Sequence, residues 1–323
     1  MANDPASLLQ ECGKLLAVIL LMTLSALAAP AERGVMVRAA QIYLAPDATS
    51  AKLATIDRGR EVAVMEKSRE WVRVLATVSE PTESSEGRDI SGWMLDKGII
   101  RASTPNGDKV LFGEAVNAEA EASRRGGRKG ADKDALRLYY RCSEYFPQTP
   151  LAGEALYRAA DIRWQLDRAD VFGRPSGKTA NVRDRIYGIN EEWMKQVIKK
   201  FPHTKWADLA AFHLIDNKLC GEWQGQSHCP EKEADVYENY VKEHPQSPAA
   251  PEALYDAAYR RAALIEIFKG EGKLNRTAGE RDKAINLAQR LVSTYPQSDY
   301  AARGQTLLYM LEQGIPAYGS AVE

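Results

Sequence analysis

The sequence predicts a multidomain chain in which a small all-β barrel is followed by an all-α helical solenoid. Residues 34–101 alternate apolar and polar side chains in short β-rich segments, and strand signals vanish after Ala131. Beyond that point four similar segments recur, each built around a proline. With 323 residues, 45% hydrophobic and 27% charged, the chain has room for two or three domains with cores of their own. A formal net charge of -1 argues against a nucleic-acid partner, because a phosphate-binding domain carries a strong basic excess.

Residues 1–31 read as a secretory signal peptide, since Lys14 precedes the apolar run from Leu15 to Ala29 and small residues follow it. Cleavage after Ala28 or Ala31 satisfies the small-x-small rule, so the mature chain is expected to begin within Ala29 to Glu32. An uncleaved membrane anchor is the alternative, but the run is shorter than the roughly 20 residues of a spanning helix. Cys12 lies before the run and Pro30, Ala31 and Glu32 after it, so no lipidation site is visible. The expected address is the periplasm, with any association to the outer membrane made through a partner.

The β-rich segments are GVMVR, KLATI, REVAVMEKS, EWVRVLATV, ISGWM and GIIR. Alternation places Val62, Val64 and Glu66 on one face, and Trp71, Arg73 and Leu75 opposite Val72 and Val74. Gly59 sits at a turn between two strands. Five or six short strands of this length suit a small closed barrel, in which closure removes exposed edges. The order of VMVR, a loop with Pro46, the turn Arg58-Gly59-Arg60, Glu70-Trp71 and Gly92-Trp93 resembles a bacterial SH3 domain. The usual Asn-Val-Arg-Ser-Gly-Pro opening of that family is replaced by Gln41-Ile42-Tyr43-Leu44-Ala45-Pro46, and the acidic loop from Glu80 to Asp89 is longer than typical. The resemblance implies recognition of peptidoglycan, with Tyr43, Trp71 and Trp93 as candidate ligand contacts; the alternative places Trp93 in the barrel core.

Residues 102–130 read as one helical stretch, Val110 to Ser123, and a basic glycine-rich linker, RRGGRKG. Its cations lack interleaved aromatics, which favours a flexible, solvated loop over a lipid or nucleic-acid patch.

Residues 131–319 carry the repeats EYFPQTPLAGEALYRAA, KKFPHTKWADLAAFHLI, KEHPQSPAAPEALYDAA and STYPQSDYAARGQTLLY. Pro147, Pro202, Pro245 and Pro296 each stop a helix, lacking an N–H and clashing with the preceding turn. Thr149, Thr204, Ser247 and Ser298 then offer a hydroxyl to the next helix, with Pro150 and Pro248 expected at its first position. Two columns of small residues follow, Ala152, Ala207, Ala250 and Ala301, then Ala155, Ala210, Ala253 and Gly304, which let a neighbouring helix approach. Tyr157, Phe212 and Tyr255 fill space further along. This punctuation resembles tetratricopeptide-like repeats of envelope proteins, such as the helical lipoprotein of the outer-membrane β-barrel assembly machine and the periplasmic coordinator of the Tol-Pal system. The prolines are further apart than the ~34 residues of a simple repeat. The surplus is expected as loops at one equivalent point, FGRPSGKTANVRD, CGEWQGQSHCP and GEGKLNRTAGERD, projecting from one edge where a partner can bind.

The run from Gly173 to Thr179, GRPSGKT, has three residues rather than four between its glycines and lies between helices, which argues against a phosphate-binding loop. Cys220 and Cys229 are candidates for a disulfide; free thiols, or metal ligands with His213 and His228, are the alternatives. Cys142 reads as a small buried hydrophobe. Of the four histidines, His203 and His244 flank repeat prolines and look structural, and no nucleophile or zinc motif occurs. The expectation is therefore no catalytic residues, no metal, no cofactor and no nucleotide. It favours an adaptor or scaffold that binds a protein or peptide, over cell-wall recognition by the barrel or an enzyme of unrecognised type.

Overall fold

The computed structural model describes residues 31–78, 87–173 and 189–319. Residues 1–30 of the expected signal peptide, residues 80–86 of the acidic loop, and residues 174–184 of the first inserted segment with most of its GRPSGKT run lie outside the described residues. Contacts divide the chain into two units between Arg101 and Ala102.

The first unit is a seven-stranded antiparallel sheet of β1 (Glu32–Met36), β2 (Ala40–Tyr43), β3 (Lys52–Ile56), β4 (Glu61–Ser68), β5 (Trp71–Val78), β6 (Arg88–Leu95) and β7 (Ile99–Arg101). Its hydrogen-bonded order is β3-β2-β6-β5-β4-β1-β7. The closed barrel expected from strand number is therefore not formed. Among the described residues β3 pairs only with β2 and the three-residue β7 only with β1, leaving two ends. Alternation along β5 buries Val72, Val74, Ala76 and Val78, and Met36, Ile42, Ile56, Val62 and Met94 complete the core.

Two further departures have local causes. The register of β4 against β5 shifts between Val64 and Glu66, so Glu66 pairs with Arg73 rather than following Val62 and Val64 inward. An extra residue in one strand moves everything beyond it to the other face. Strand β2, absent from the expected set, is the element that joins β3 to β6. It crosses close enough to Gly92 that a Cβ there would lie 2.7 Å from the Tyr43 carbonyl oxygen and 2.6 Å from an Ile42 methyl carbon.

The second unit contains, among its described residues, α1 (Gly107–Ala122), α2 (Ala131–Tyr145), α3 (Ala152–Gly173), α4 (Glu192–Lys200), α5 (Lys205–His213), α6 (His228–Glu243), α7 (Ala250–Gly270), α8 (Leu274–Thr294) and α9 (Asp299–Gln313). Helix α1 buries Leu111, Ala115 and Ala118 and packs along α2. Of the basic run between them, Arg128 bonds Glu121 of α1 and the buried Asp134 of α2, so the segment is a tied turn within the helical unit rather than a spacer.

The proline stops share one geometry. Phe146, Phe201, His244 and Tyr295, each directly before a repeat proline, have φ of −127°, −128°, −126° and −126° and ψ of 53°, 53°, 56° and 52°. Each still donates its N–H to the carbonyl four residues back, and the proline ring then bars the next helical step. The hydroxyls of Thr204, Ser247 and Ser298 accept bonds from the N–H groups of Ala207, Ala249 and Tyr300. That of Thr149 instead donates to the Phe146 carbonyl. Pro150 and Pro248 stand in the turns ahead of their helices, and Pro251 occupies the first turn of α7. Both small-residue columns are buried.

The inserted segments are not equivalent loops. The second is a loop closed by Cys220 and Cys229. The third is absorbed into helix, because α7 runs to Gly270 and α8 begins at Leu274. An arginine clasp explains how such long helices stay aligned: Arg261 of α7, nearly buried, bonds Asp235 and Glu238 of α6 and Glu280 of α8.

Two glycines of opposite character test this account. Gly92→Ala should destabilise the sheet by about 1–3 kcal/mol, since a backbone carbonyl cannot step aside. Gly113→Ala, on the exposed side of α1 with nothing within 4 Å, should stabilise by about 0.5–1 kcal/mol in denaturant unfolding.

Candidate functional site

The small columns are consumed by stacking, but the same four helices, α3, α5, α7 and α9, present a second face. The seventh, tenth and fourteenth residues after each proline lie on it, spaced to share one side of a helix. These positions are Glu154, Leu209, Glu252 and Arg303, then Tyr157, Phe212, Tyr255 and Thr306, then Asp161, Asp216, Tyr259 and Met310, with Asp216 in the 3-10 turn Asp216–Lys218 just beyond α5. All but Glu154 and Asp161 line two clefts. The first, about 390 Å³, lies where α3, α5 and α7 meet, bounded by Tyr157, Leu209, Phe212, His213, Asp216 and Glu252. The second, about 240 Å³, lies between α7 and α9, bounded by Tyr255, Tyr259, Arg303, Thr306, Leu307 and Met310. Tyr157, Phe212 and Tyr255, expected as space fillers, are thus cleft walls.

The first cleft is acidic and aromatic. Tyr157 stacks on Trp206 with ring centroids 5.5 Å apart. His213 Nε2 lies 3.2 Å from the Tyr157 hydroxyl and 3.3 Å from Asp161 Oδ1. Burial pushes the Asp161 carboxyl above the usual range, with His213 opposing. Burial also raises Asp216, where His213 and Arg168 oppose the shift and Glu252 adds to it. In the second cleft the guanidinium of Arg303 lies over Tyr255 at 4.2 Å and Tyr300 at 5.1 Å from the ring centres.

The loop between α5 and α6 is anchored beside the second cleft. Cys220 and Cys229 form a disulfide with Cα atoms 5.9 Å apart, which leaves neither thiol for a metal. The buried Glu233 accepts bonds from Cys220 N at 2.8 Å, Trp223 Nε1 at 3.1 Å and Arg260 Nε at 2.8 Å. This holds the Trp223 ring against Tyr259 and Tyr318. No three His, Cys, Asp or Glu side chains converge on a metal-like site among the described residues. His228 instead opens α6, and His244 Nδ1 lies 2.8 Å from Asp208 Oδ1. Cys142 is buried, and burial pushes its thiol up to about 12.

In the sheet, Tyr43, Trp93 and Arg73 fall in one cross-strand row, so all three face away from the core formed by Val72, Val74 and Met94. Trp93 is half-buried on that outer face rather than in the core. Trp71 lies on the same face one row along and meets Tyr43 edge to face at 5.6 Å, which covers it almost completely.

No family model matches the chain, and no curated protein matches it. Solved structures similar to it include the DHF58 filament at 14% identity, covering 64% of this chain and 91% of that one, with a TM-score of 0.23. The DHF79 filament (15% identity, 62% and 95% covered) and the de novo designed helical repeat protein DHR64 (16% identity, 64% and 94% covered) each have a TM-score of 0.21. Among the described residues no helix is long and apolar enough to cross a membrane.

Alkylation of the unfolded chain without prior reduction should leave Cys220 and Cys229 unlabelled, and labelling of both would refute the bond. The raised carboxyl of Asp216 binds its proton more tightly folded than unfolded, so it costs stability as pH climbs above its unfolded value. The melting temperature of Asp216→Asn relative to the parent should therefore rise between about pH 4 and about pH 7. A shrinking difference would contradict the burial argument.

Proposed function

We propose that the chain is a non-enzymatic adaptor or scaffold of the periplasm that holds a protein or peptide partner on its helical repeats, in outer-membrane biogenesis or envelope organisation. In this reading the sheet is an SH3-like module and the helical unit a tetratricopeptide-like solenoid, exported behind a signal peptide at residues 1–31. The observation that carries it is the recurrence of the cleft-lining positions over the last three repeats, which builds two clefts from residues that stacking leaves free. No catalytic residue, cofactor or nucleotide has a part in it. The clefts supplement the inserted loops as the source of specificity, since the third insertion is helical and the second is tied down beside a cleft.

A second reading, recognition of peptidoglycan by the sheet, is supported by the outward row of Tyr43 and Trp93 beside Trp71. The two readings separate in one comparison of capture from envelope extract with binding to purified sacculi. Thr306→Trp fills the second cleft from an exposed position, and Glu252→Arg reverses a charge in the first. Both should reduce protein capture at least about tenfold while leaving the helical melting profile intact, as central contacts of an interface do. Sacculus binding abolished by Trp93→Ala, with capture untouched by the cleft variants, would move the function to the sheet.

A further inference from the structure

The equivalence of the two clefts carries a statement about what the first one takes. In the second cleft the position seven residues after the proline is Arg303, whose guanidinium packs on Tyr255 and Tyr300. The same pattern recurs at Arg260, which lies 4.5 Å from the centre of the Tyr237 ring and bonds Asp256. In the first cleft the equivalent positions are Leu209 and Glu252, and among the described residues no lysine or arginine lines it. Two carboxylates, Asp216 and Glu252, line it instead, near enough that Glu252 disfavours charge on Asp216. The surrounding groups compensate them in part: the largely exposed Arg168 approaches Asp216 only to 3.9 Å, His213 turns to Asp161 at 3.3 Å, and the Tyr300 hydroxyl bonds Glu252. By contrast, Asp235, Glu238 and Glu280 each bond the Arg261 guanidinium, and Glu280 bonds Lys283 as well.

We propose that the first cleft binds a lysine or arginine side chain of the partner polypeptide, with Tyr157 and Phe212 against its aliphatic stem and Asp216 and Glu252 beside its charge. No three His, Cys, Asp or Glu side chains converge on a metal-like site among the described residues, whereas the ring faces of Tyr157 and Phe212 suit an organic cation with an apolar stem. The bound side chain takes the place that Arg303 fills from within the protein one repeat later. This rests on the adaptor reading and adds the chemistry of the residue recognised.

The test uses the full chain and a fluorescein-labelled positional-scanning hexapeptide library, acetylated and amidated so that no terminal charge competes. Binding is followed by anisotropy. Pools fixed as lysine or arginine should bind at least about tenfold tighter than norleucine pools, and Asp216→Asn and Glu252→Gln should each erase most of that preference. Both substitutions are isosteric at half-buried positions, and circular dichroism melting verifies that each variant folds. Norleucine pools binding as well as lysine pools, or a lysine preference unchanged in both variants, overturns the inference while leaving the adaptor reading in place. Failure of every pool to bind while capture from envelope extract persists also overturns it. Loss of both removes the adaptor reading as well.

Discussion

The helical unit depends on a stop signal repeated four times. A proline at the end of a returning helix forbids one backbone conformation to the residue before it, and Phe146, Phe201, His244 and Tyr295 respond with nearly the same pair of dihedral angles. Fixing two angles fixes the direction in which the next helix leaves. That direction brings a column of alanines under the preceding helix, where only small side chains fit. Side-chain identity at these four residues matters less than the peptide bond that follows them, which is why Phe, His and Tyr serve alike.

Once stacking is assigned to one face of each post-proline helix, the opposite constraint acts on the other face. Residues there are half-buried or exposed, and they vary in charge: Leu209, Glu252 and Arg303 occupy one column. The stacking columns hardly vary at all. Stacking and the cleft walls thus use different faces of the same helices, and the buried Arg261 clasp holds α6, α7 and α8 in alignment.

Much of this was legible in the sequence, because the signals were local. Prolines, capping hydroxyls and small residues each act within a few positions, and the four repeats align on them without gaps. What escaped had a non-local cause. Strand β2 is only four residues long, Ala40–Tyr43, and is held by neighbours from distant parts of the chain. The slip between Val64 and Glu66 inverts a face that strict alternation assigns the other way. The segment Gly270 to Asp282 carries three glycines and reads as a loop, yet most of it is helical because α8 packs along α7. The cleft columns were already present in the alignment of repeats. Counting seven, ten and fourteen residues from each proline reaches them, together with Glu154 and Asp161, which line neither cleft, but Tyr157, Phe212 and Tyr255 look like core until their exposure is known.

The pairing of β1 with both β4 and β7 has a consequence for how the chain acquires its structure. Strand β1 opens the sheet and β7 ends it, so the contact between Gly34 and Arg101 can form only after almost the whole intervening chain has been gathered. The helices, by comparison, meet chiefly their nearest and next-nearest successors. Low mean sequence separation gives fast folding and high separation gives slow folding. The helical unit should therefore be assembled first, although it emerges last during synthesis, and the sheet, with its two unpaired ends, is the part that spends longest incomplete.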